Sequence, residues 1–493
     1  MANVLIGREA ELEILEEFLA TDSPEFLAIY GRRRVGKTFL IRHFFSEQDV
    51  IFFDVTGAKD ASLKEQIKHF TQQLGKVFYN YKRARLIPGK NWDETFELLT
   101  EALEDAKGNK KIVLFFDEFP WMATKNSKLL QHLDYYWNQH WSKNNKVKLI
   151  ICGSSASWII EKIVNNKGGL HNRLTRNIYL EPFNLYQTKG FLKNLSVNLT
   201  NQQILQLFMV MGGIPFYLLK IGKNLSATQN IEKLAFKQKS FLLTEFDNLY
   251  ASLFKNSDVF VQIVREIASC RYGIGQETLL KKTGKTLQGK GGIEKLKALQ
   301  DTNFIMSFKP LFHKTRGIYY RVIDEYSLFY FYWIEPVKDS LLKKNLISGY
   351  WDKLKVKPAW NTWAGLAFES VCYEHLPQIT KTLDLSPTAI PSTWRYSPKK
   401  GSNEQGAQID LLFDRDDDSI TICEIKYSHK PFIITKEYAE KLKQKLTIFK
   451  KITRTNKQLF IALISANGIK KNKYSEELLS GVVTLEDLFK DVS

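Results

Sequence analysis

The sequence predicts an α/β multidomain protein whose first domain is built on a parallel sheet. Apolar runs at residues 26–30, 111–116 and 147–152, in which Lys111 and Lys148 are the charged residues, are typical of central strands that are buried on both faces. Stretches with helical spacing of apolar residues separate these runs, as expected when helices connect parallel strands. The length of 493 residues and the apolar content of 44% fit a globular chain of about three domains.

The first apolar run leads into a glycine-rich turn and then into a helix over residues 39–45. The turn reads Gly31-Arg32-Arg33-Arg34-Val35-Gly36-Lys37-Thr38. Its glycines let backbone N–H groups face phosphate oxygens, and the helix adds the positive end of its dipole. Lys37 is expected to reach the β- and γ-phosphates and Thr38 to ligate Mg²⁺. The segment therefore predicts a nucleotide site, although at least two of the three arginines could instead form a solvated loop tip.

Further groups in this domain are placed for triphosphate chemistry. The run over residues 111–116 ends in Asp117 and Glu118, at the edge where open α/β sheets bind ligands. Asp117 would join the Mg²⁺ shell, and Glu118 would orient or deprotonate the attacking water, so ATP hydrolysis is the preferred interpretation. Ser154 follows the next buried run, where a hydroxyl could contact the γ-phosphate or cap a helix. Arg173 could stabilise transition-state charge, in the same chain or across to a neighbour.

These residues together resemble the archaeal-type ATPase family, in the STAND class of AAA-like P-loop proteins, over about the first half of the chain. The resemblance implies that Gly7 and Arg8 flank the adenine, that Ser154 or Ser155 acts as the sensor, and that the segment ending at Pro215 marks a helical lid over the nucleotide. It also implies a switch with slow hydrolysis. The matching segments are Ile6-Gly7-Arg8-Glu9-Ala10-Glu11, the phosphate loop, Phe116-Asp117-Glu118, Cys152-Gly153-Ser154-Ser155, Arg173 ahead of Leu180-Glu181-Pro182-Phe183, and Gly212-Gly213-Ile214-Pro215.

A winged helix-turn-helix is predicted in the middle of the chain. Three short helical stretches, at residues 259–269, 276–283 and 291–299, precede two strands at residues 304–308 and 318–322. Basic residues in the third helix and the wing allow contact with nucleic acid, and packing against the nucleotide domain or a partner is the alternative. These residues are Lys285, Lys290, Lys295, Lys297, Lys309, His313, Lys314 and Arg316.

The last quarter of the chain carries a second group of acidic and basic residues. Glu369 lies in a predicted helix, Asp410 in one strand of a predicted hairpin, and Glu424 and Lys426 on one face of its partner strand. The carboxylates could hold Mg²⁺, and the lysine could position water or offset charge on a scissile phosphate. This arrangement resembles the PD-(D/E)xK nuclease superfamily, except that Gln408-Ile409 replaces the proline expected before the aspartate. An exposed acid–base pair on a hairpin is the alternative.

The next helix carries Lys436, Lys441, Lys443 and Lys445, which could contact DNA or form a solvated face.

Composition narrows the partners and the location. The formal charge of +18 favours a polyanionic partner, so DNA is expected, with a homo-oligomer as a further candidate. The four cysteines are far apart, which indicates neither a disulfide framework nor a zinc site. No apolar run approaches membrane-spanning length, so a cytoplasmic protein without a membrane partner is expected.

The sequence thus predicts an ATP-binding, slowly hydrolysing switch that controls a DNA-binding or Mg²⁺-dependent DNA-cleaving module. One alternative is an ATP-dependent regulator whose nuclease-like domain only binds, and another is a transcription regulator that acts through the winged helix. The predicted domains are an ATPase core (1–185), a helical lid (186–253), a winged helix-turn-helix (254–335), a linker (336–358) and a nuclease-like domain (359–493).

Overall fold

The computed structural model divides the chain into two compact units, Met1–Pro182 and Phe183–Ser493. The predicted α/β multidomain class is confirmed, and the finer domain boundaries stay predictions. Within the residues described, none of the helices has the length and apolar character needed to cross a bilayer. The structure describes residues 5–80, 86–165, 170, 173–270, 273–287, 290–311, 317–343, 349–398, 401 and 405–492.

In the first unit, five strands form one parallel sheet in the order β2-β3-β4-β1-β5. The strands are β1 (Glu25–Tyr30), β2 (Ile51–Thr56), β3 (Ile112–Asp117), β4 (Val147–Gly153) and β5 (Arg176–Tyr179). Every residue of β1, β3 and β4 is buried, which explains why these strands are mainly apolar, with Glu25, Asp117 and Lys148 as their charged residues. Because all five strands run parallel, their carboxyl ends meet at one edge of the sheet.

The helices of the first unit pack their apolar faces on this sheet. Phe70 and Phe96 lie with ring centroids 5.9 Å apart, and Phe70 lies 5.6 Å from Phe116 of β3. This aromatic packing fixes the strand that carries Asp117. The helices are α1 (Glu9–Ala20), α2 (Lys37–Ser46), α3 (Leu63–Tyr79), α4 (Trp92–Asp105), α5 (Phe119–Met122), α6 (Leu129–Gln139) and α7 (Ala156–Ile159).

The second unit begins with five helices, and the predicted break at residues 211–215 lies between the second and third of them. Gly212 has φ 64°, and a Cβ on Gly213 would lie 1.7 Å from the carbonyl oxygen of Phe183, so the turn needs glycine at both positions. Pro215 then begins the next helix, where its missing N–H costs nothing. The helices are α8 (Leu185–Asn194), α9 (Asn201–Met211), α10 (Pro215–Leu218), α11 (Ala227–Ala235) and α12 (Phe241–Leu253).

Three helices and three short strands follow. The strands form an antiparallel sheet in the order β6-β8-β7. His313, Lys314 and Arg316, three of the predicted wing residues, lie outside the described residues. The elements are α13 (Ser257–Ala268), β6 (Ile274–Gly275), α14 (Gln276–Thr283), α15 (Lys290–Asp301), β7 (Ile305–Phe308) and β8 (Tyr319–Val322).

A mixed five-stranded sheet with helices occupies the end of the chain, in the strand order β13-β12-β11-β10-β9. The predicted hairpin is confirmed: β10 and β11 pair antiparallel. The strands are β9 (Ile390–Tyr396), β10 (Ala407–Asp414), β11 (Ser419–Lys426), β12 (Gln458–Ser465) and β13 (Leu479–Thr484). The helices are α16 (Glu325–Phe329), α17 (Lys338–Leu342), α18 (Tyr350–Leu354), α19 (Pro358–Glu374), α20 (Leu376–Thr382), α21 (Lys436–Thr453), α22 (Lys473–Leu478) and α23 (Leu485–Leu488).

A buried histidine joins the start of α8 to the end of α19 within this unit. The Leu185 N–H donates to Nε2 of His375 at 2.9 Å, and Nδ1 lies 2.7 Å from the carbonyl oxygen of Val371. Nδ1 therefore carries the proton of a neutral ring. Burial lowers the pKa of His375 to about 4, from an ordinary value of 6.5.

We expect the second unit to lose stability as the pH falls from about 6.5 towards about 4, because the unfolded histidine binds its proton first in this window. The stability is complete above the unfolded pKa, and its loss amounts to about 3 kcal/mol at most. Urea unfolding at ~pH 7 and ~pH 4.5 measures the loss. The loss should be smaller in His375→Gln, and equal losses in the two proteins would contradict the assignment.

Candidate functional site

The phosphate loop, residues 31–38, connects β1 to α2 in a conformation that requires its two glycines. Gly31 has φ 138°, and a Cβ there would lie 2.4 Å from the carbonyl oxygen of Leu180. Gly36 has φ 101° and caps α2. The chain thereby enters α2 directly after the loop, and the unpaired N–H groups of a first helical turn are the part of a helix that binds phosphate.

Lys37 closes this loop on itself. Its ammonium donates to the carbonyl oxygens of Gly31 at 2.9 Å and Arg32 at 2.8 Å. The side chain is 6% exposed, and burial lowers the pKa of Lys37. A buried ammonium at this position is the charge that P-loop proteins direct at the β- and γ-phosphates.

The hydroxyl and the carboxylate predicted to share Mg²⁺ lie together. Thr38 Oγ1 donates to the Asp117 carboxylate, at 3.1 Å from Oδ1 and 3.0 Å from Oδ2. Asp117 is 3% exposed at the carboxyl end of β3. Hydroxyl and carboxylate oxygens are the donors that Mg²⁺ takes from protein, usually one or two carboxylates completed by substrate phosphates and water. The pair therefore fits Mg²⁺.

Glu118 and Ser154 are also brought together, from the ends of β3 and β4. The Ser154 N–H donates to Glu118 Oε2 at 3.1 Å, and the Ser154 hydroxyl donates to the same oxygen at 2.8 Å. Ser155 is the N-cap residue of α7 but makes no side-chain capping bond. Of the two predicted serines, Ser154 is thus the one that contacts the acidic end of β3.

Arg8 fixes the N-terminal segment against the phosphate loop. Its guanidinium donates to the carbonyl oxygens of Val35 at 3.2 Å and Glu181 at 2.8 Å, and pairs with Glu11 at 3.3 Å. Arg8 is 5% exposed, and burial lowers its pKa. The segment that contains Gly7 and Arg8 therefore lies beside the loop, and its contact with adenine stays a prediction. Pro215 lies in the second unit, and its predicted role at the nucleotide also stays a prediction.

The three arginines of the loop differ in exposure. Arg32 is 3% exposed, and Arg33 and Arg34 are half-buried. Arg34 has φ 73°, a conformation that a non-glycine residue adopts only where the surroundings hold it. The solvated alternative is therefore wrong for Arg32, and the loop has charged side chains packed within it.

Arg173 lies beside the amino ends of the parallel strands, whereas the phosphate loop follows their carboxyl ends. It occupies an exposed turn before β5, and two residues later the Thr175 N–H donates to the Phe26 carbonyl at the start of β1. The register runs in parallel from there to the Tyr30↔Tyr179 pair at the phosphate loop. At about 3.3 Å per residue, the loop is roughly 15 Å further along. Arg173 therefore does not reach a phosphate held by its own chain, and its role across to a neighbour stays a prediction.

An ion pair beside the phosphate site was not predicted. Arg42 of α2 binds Asp54 of β2 with Nε–Oδ2 at 2.6 Å, and its other end lies 3.7 Å from Asp117 Oδ2. These contacts raise the pKa of Arg42, chiefly through the hydrogen bond to Asp54. The available signal was Asp54 itself, a single charged residue within the apolar strand Ile51–Thr56. Arg42 orients the carboxylate that would hold Mg²⁺.

In the second unit, Glu424 is the centre of a charge cluster on β11. Its carboxylate pairs with Lys426 at 2.7 Å and with Lys445 of α21 at 2.5 Å, and it accepts from the Tyr438 hydroxyl. Burial by itself would raise the pKa of Glu424, but the two ammonium groups outweigh burial and lower it to about 2. Glu424 is therefore ionised and neutralised by lysine in this conformation. Lys445 and Tyr438 were not predicted as its partners.

Asp410 and Glu369 lie near this cluster. The pairing Leu411↔Cys423, continued by one residue, places Asp410 opposite Glu424. Gln408 Nε2 donates to Asp410 Oδ1 at 2.6 Å, and Arg321 lies 4.0 Å from Glu369 Oε2. In the parts of the chain that the structure describes, no group of three or more His, Cys, Asp or Glu side chains is arranged to hold a metal ion.

The carboxylates of Glu369 and Asp410 nevertheless line the same cavity. Glu369 and Asp410 both line a cavity of about 470 Å³ together with Lys426 and Lys445. A pair of carboxylates is a sufficient protein ligand set for Mg²⁺ when a substrate phosphate completes the shell. Glu369 and Asp410 therefore fit Mg²⁺, whereas the metal role of Glu424 stays a prediction.

Two protein-family models match separate parts of the chain. Residues 5–221 match a family model described as an ATPase domain predominantly from Archaea, which supports ATP binding by this part of the chain. Residues 330–442 match a model described as "Archaea bacterial proteins of unknown function". The ATP-binding part of the resemblance is confirmed, and the STAND, winged-helix and nuclease parts stay predictions.

Two relatives from Methanocaldococcus jannaschii are similar in sequence. An uncharacterized protein is 27% identical over 431 residues, which cover 86% of this chain and 88% of that protein. An uncharacterized ATP-binding protein is 38% identical over 47 residues, which cover 10% of this chain and 80% of that protein. The longer match thus spans both units.

Two solved structures are similar in part. A Walker-type ATPase of Pyrococcus abyssi superposes with a TM-score of 0.48 at 20% identity, over 66% of this chain and 96% of that chain. The ORC2 protein of Aeropyrum pernix superposes with a TM-score of 0.43 at 14% identity, over 70% of this chain and 97% of that chain.

Proposed function

We propose that this protein is an ATP-binding, slowly hydrolysing switch that controls a DNA-binding or DNA-cleaving module in its second unit. The observation that carries the proposal is the joint placement of Lys37, Thr38 and Asp117 at one edge of the parallel sheet. A buried ammonium, a hydroxyl and a carboxylate in this arrangement have little use in a protein that does not bind a nucleoside triphosphate with a metal.

At the nucleotide site, Thr38 and Asp117 would hold Mg²⁺, which supplies neutralisation of charge on the β- and γ-phosphate oxygens when bound. Lys37 would transfer its hydrogen bonds from the loop carbonyls to phosphate oxygens, which accept them more strongly because they are charged. Glu118 would accept the proton of the attacking water. Asp117 ends β3 and Glu118 follows it, whereas Lys37 and Thr38 begin α2 after the loop that follows β1.

Slow hydrolysis is supported by the environment of Glu118. Oε2 already accepts two hydrogen bonds from Ser154, and the residue has φ 45°. These two hydrogen bonds hold the Glu118 carboxylate against Ser154, so Oε2 must share or release them before it accepts a proton from the attacking water. This rearrangement suits a slow switch better than a rapid motor.

The second unit supports a nucleic-acid module. The segment α13 to β8 has the three helices and antiparallel strands of the predicted winged helix-turn-helix. The segment α19 to β13 has a mixed sheet with Glu369, Asp410 and Lys426 around one cavity, as the nuclease interpretation requires. There, Glu369 and Asp410 would hold Mg²⁺, which would polarise a scissile phosphate, and Lys426 would offset charge on that phosphate.

A non-catalytic regulator is the second candidate, and one observation favours it. Glu424 is neutralised by Lys426 and Lys445, and Glu369 lies beside Arg321. Pairs of this kind stabilise a site without any metal. In this alternative the lysines contact the DNA backbone, and ATP changes assembly without cleavage.

The substitution Glu118→Gln tests the switch. We expect ATP affinity to stay within about two-fold of the wild type, because glutamine keeps the shape and Lys37 is untouched, while hydrolysis falls at least about 100-fold. The variant should then stay ATP-bound for the whole assay, so the DNA binding or cleavage measured with ATP should be that of the ATP-bound protein throughout. The matched control is Glu104→Gln, because Glu104 is an exposed glutamate at the end of α4.

Two results would contradict the proposal. Unchanged hydrolysis in Glu118→Gln would remove Glu118 from the reaction. DNA binding and cleavage that are the same without nucleotide, with ATP and in Glu118→Gln would show that the first unit does not control the second.

A further inference from the structure

A second cavity in the second unit is also lined by the carboxylates Glu369 and Asp410. It has a volume of about 550 Å³ and is lined by Phe308, Tyr319, Tyr396 and Arg395. The Phe308 and Tyr319 rings are stacked, with centroids 5.8 Å apart and planes inclined by 29°. We call this the aromatic cavity. Its volume is within the range of about 300–1,000 Å³ that is typical of ligand pockets.

The aromatic cavity is walled by two different sheets. Phe308 and Tyr319 belong to β7 and β8, whereas Tyr396 and Arg395 belong to β9. The chain after β7 is fixed to β9 by a hydrogen bond from the Leu311 N–H to the Thr393 carbonyl at 2.8 Å. The cavity is therefore a built feature of the unit, where flat aromatic and guanidinium surfaces converge.

The aromatic cavity shares a wall with the cavity of about 470 Å³ described above, which we call the lysine cavity. Glu369, Gln408 and Asp410 line both. The lysine cavity is lined by Lys426, Lys441 and Lys445, whose ammonium groups suit phosphates, and two of them, Lys426 and Lys445, also pair with Glu424. Ammonium groups in one cavity and ring faces in the adjoining one are the two kinds of surface that proteins combine to bind a single nucleotide strand.

We infer that the aromatic cavity takes one unpaired nucleobase of a DNA strand whose phosphates lie in the lysine cavity. The inference rests on the nucleic-acid role proposed above for the second unit. A base inside a duplex is covered on both faces by its neighbours, so it must leave the stack to enter a pocket of this kind. The substrate class is therefore single-stranded or locally opened DNA, and intact duplex is a poor ligand.

Tyr319 has the clearest role in this pocket. It is half-buried, and its ring is stacked on Phe308 at the cavity wall. Arg321, two residues later on the same face of β8, holds its guanidinium 4.4 Å from the Tyr373 ring and 4.0 Å from Glu369. The strand that presents the stacking ring is thus tied directly to a carboxylate of the shared wall.

The test uses the full chain and a short oligonucleotide with a central 2-aminopurine, in EDTA so that no strand is cut. 2-Aminopurine loses fluorescence when it stacks. Binding of the single strand should quench it, and Tyr319→Leu should restore most of the signal and weaken single-strand affinity about ten-fold or more. Affinity for the matching duplex should be weak in both proteins and unchanged by the substitution. Tyr186→Leu, at an exposed tyrosine of α8, is the control and should behave as the wild type.

Phe308→Leu and Tyr396→Leu provide independent variants if Tyr319→Leu does not fold. Wild-type quenching and affinity in all folded variants would overturn the inference, while retained DNA binding would leave the proposed function intact. Preference of the wild type for duplex over single strand would also overturn it. Failure of the wild type to bind either form would instead remove the proposed nucleic-acid role and the inference with it.

Discussion

Replacing Lys37 with alanine is expected to weaken ATP binding by at least about 100-fold, which corresponds to about 2.7 kcal/mol. The ammonium is 6% exposed and donates to two loop carbonyls, so its transfer to phosphate costs little further desolvation. Alanine would remove the charge and leave the carbonyl oxygens of Gly31 and Arg32 without their donor. Titration with a fluorescent ATP analogue, with Mg²⁺ present, measures the change.

Lys64→Ala is the matched control, because Lys64 is an exposed lysine on α3. Its ATP affinity should equal that of the wild type. The thermal unfolding of Lys37→Ala separates loss of binding from loss of the fold, since ATP should raise the unfolding temperature of the wild type and the control but not of the variant. Unchanged ATP affinity in a folded Lys37→Ala protein would remove the basis of the nucleotide site.

The phosphate site was predictable because its signals are local. The buried strand β1, the glycines with φ values of 138° and 101°, and Lys37 and Thr38 after them are contiguous in the chain. Even Asp117 follows from local pattern, because buried parallel strands end at the ligand-binding edge. Local sequence does not reveal which residues at the ends of neighbouring strands come into contact. The choice between Ser154 and Ser155, and the placement of Arg173 at the far edge, depended on strand register.

In the second unit, too, residues within single strands were predictable, whereas contacts between distant elements were not. Asp410, Glu424 and Lys426 were predictable because alternation along β10 and β11 places each on a face. The partner lysine was not, because α21 carries lysines around much of its surface and only its packing on β11 selects Lys445. The aromatic cavity was not predictable either. Its walls come from β7 and β8 on one side and from β9, about 70 residues later in the chain, on the other.

Replacing Asp410 with asparagine is expected to reduce DNA cleavage with Mg²⁺ at least about 100-fold, because asparagine keeps the shape but removes the charge of a metal-binding carboxylate. Gln408 Nε2, which donates to Asp410 Oδ1 at 2.6 Å, can still donate to the asparagine oxygen, so the strand should stay in place. DNA binding in EDTA should therefore stay within a few-fold of the wild type. Cleavage of linear, circular and single-stranded DNA by the purified protein, with Mg²⁺ or Mn²⁺ and with or without ATP, measures the effect.

Asp418→Asn is the matched control, since Asp418 is an exposed aspartate in the turn between β10 and β11, and its φ of 55° suits asparagine. It should cleave as the wild type does. Undiminished cleavage in Asp410→Asn would assign the activity to another source and end the nuclease interpretation of this site. Absence of cleavage in the wild type, with DNA still bound, would favour the regulator. Lys426 and Lys445, which pair with Glu424, would then contact the DNA backbone without any cleavage, and ATP would control binding alone.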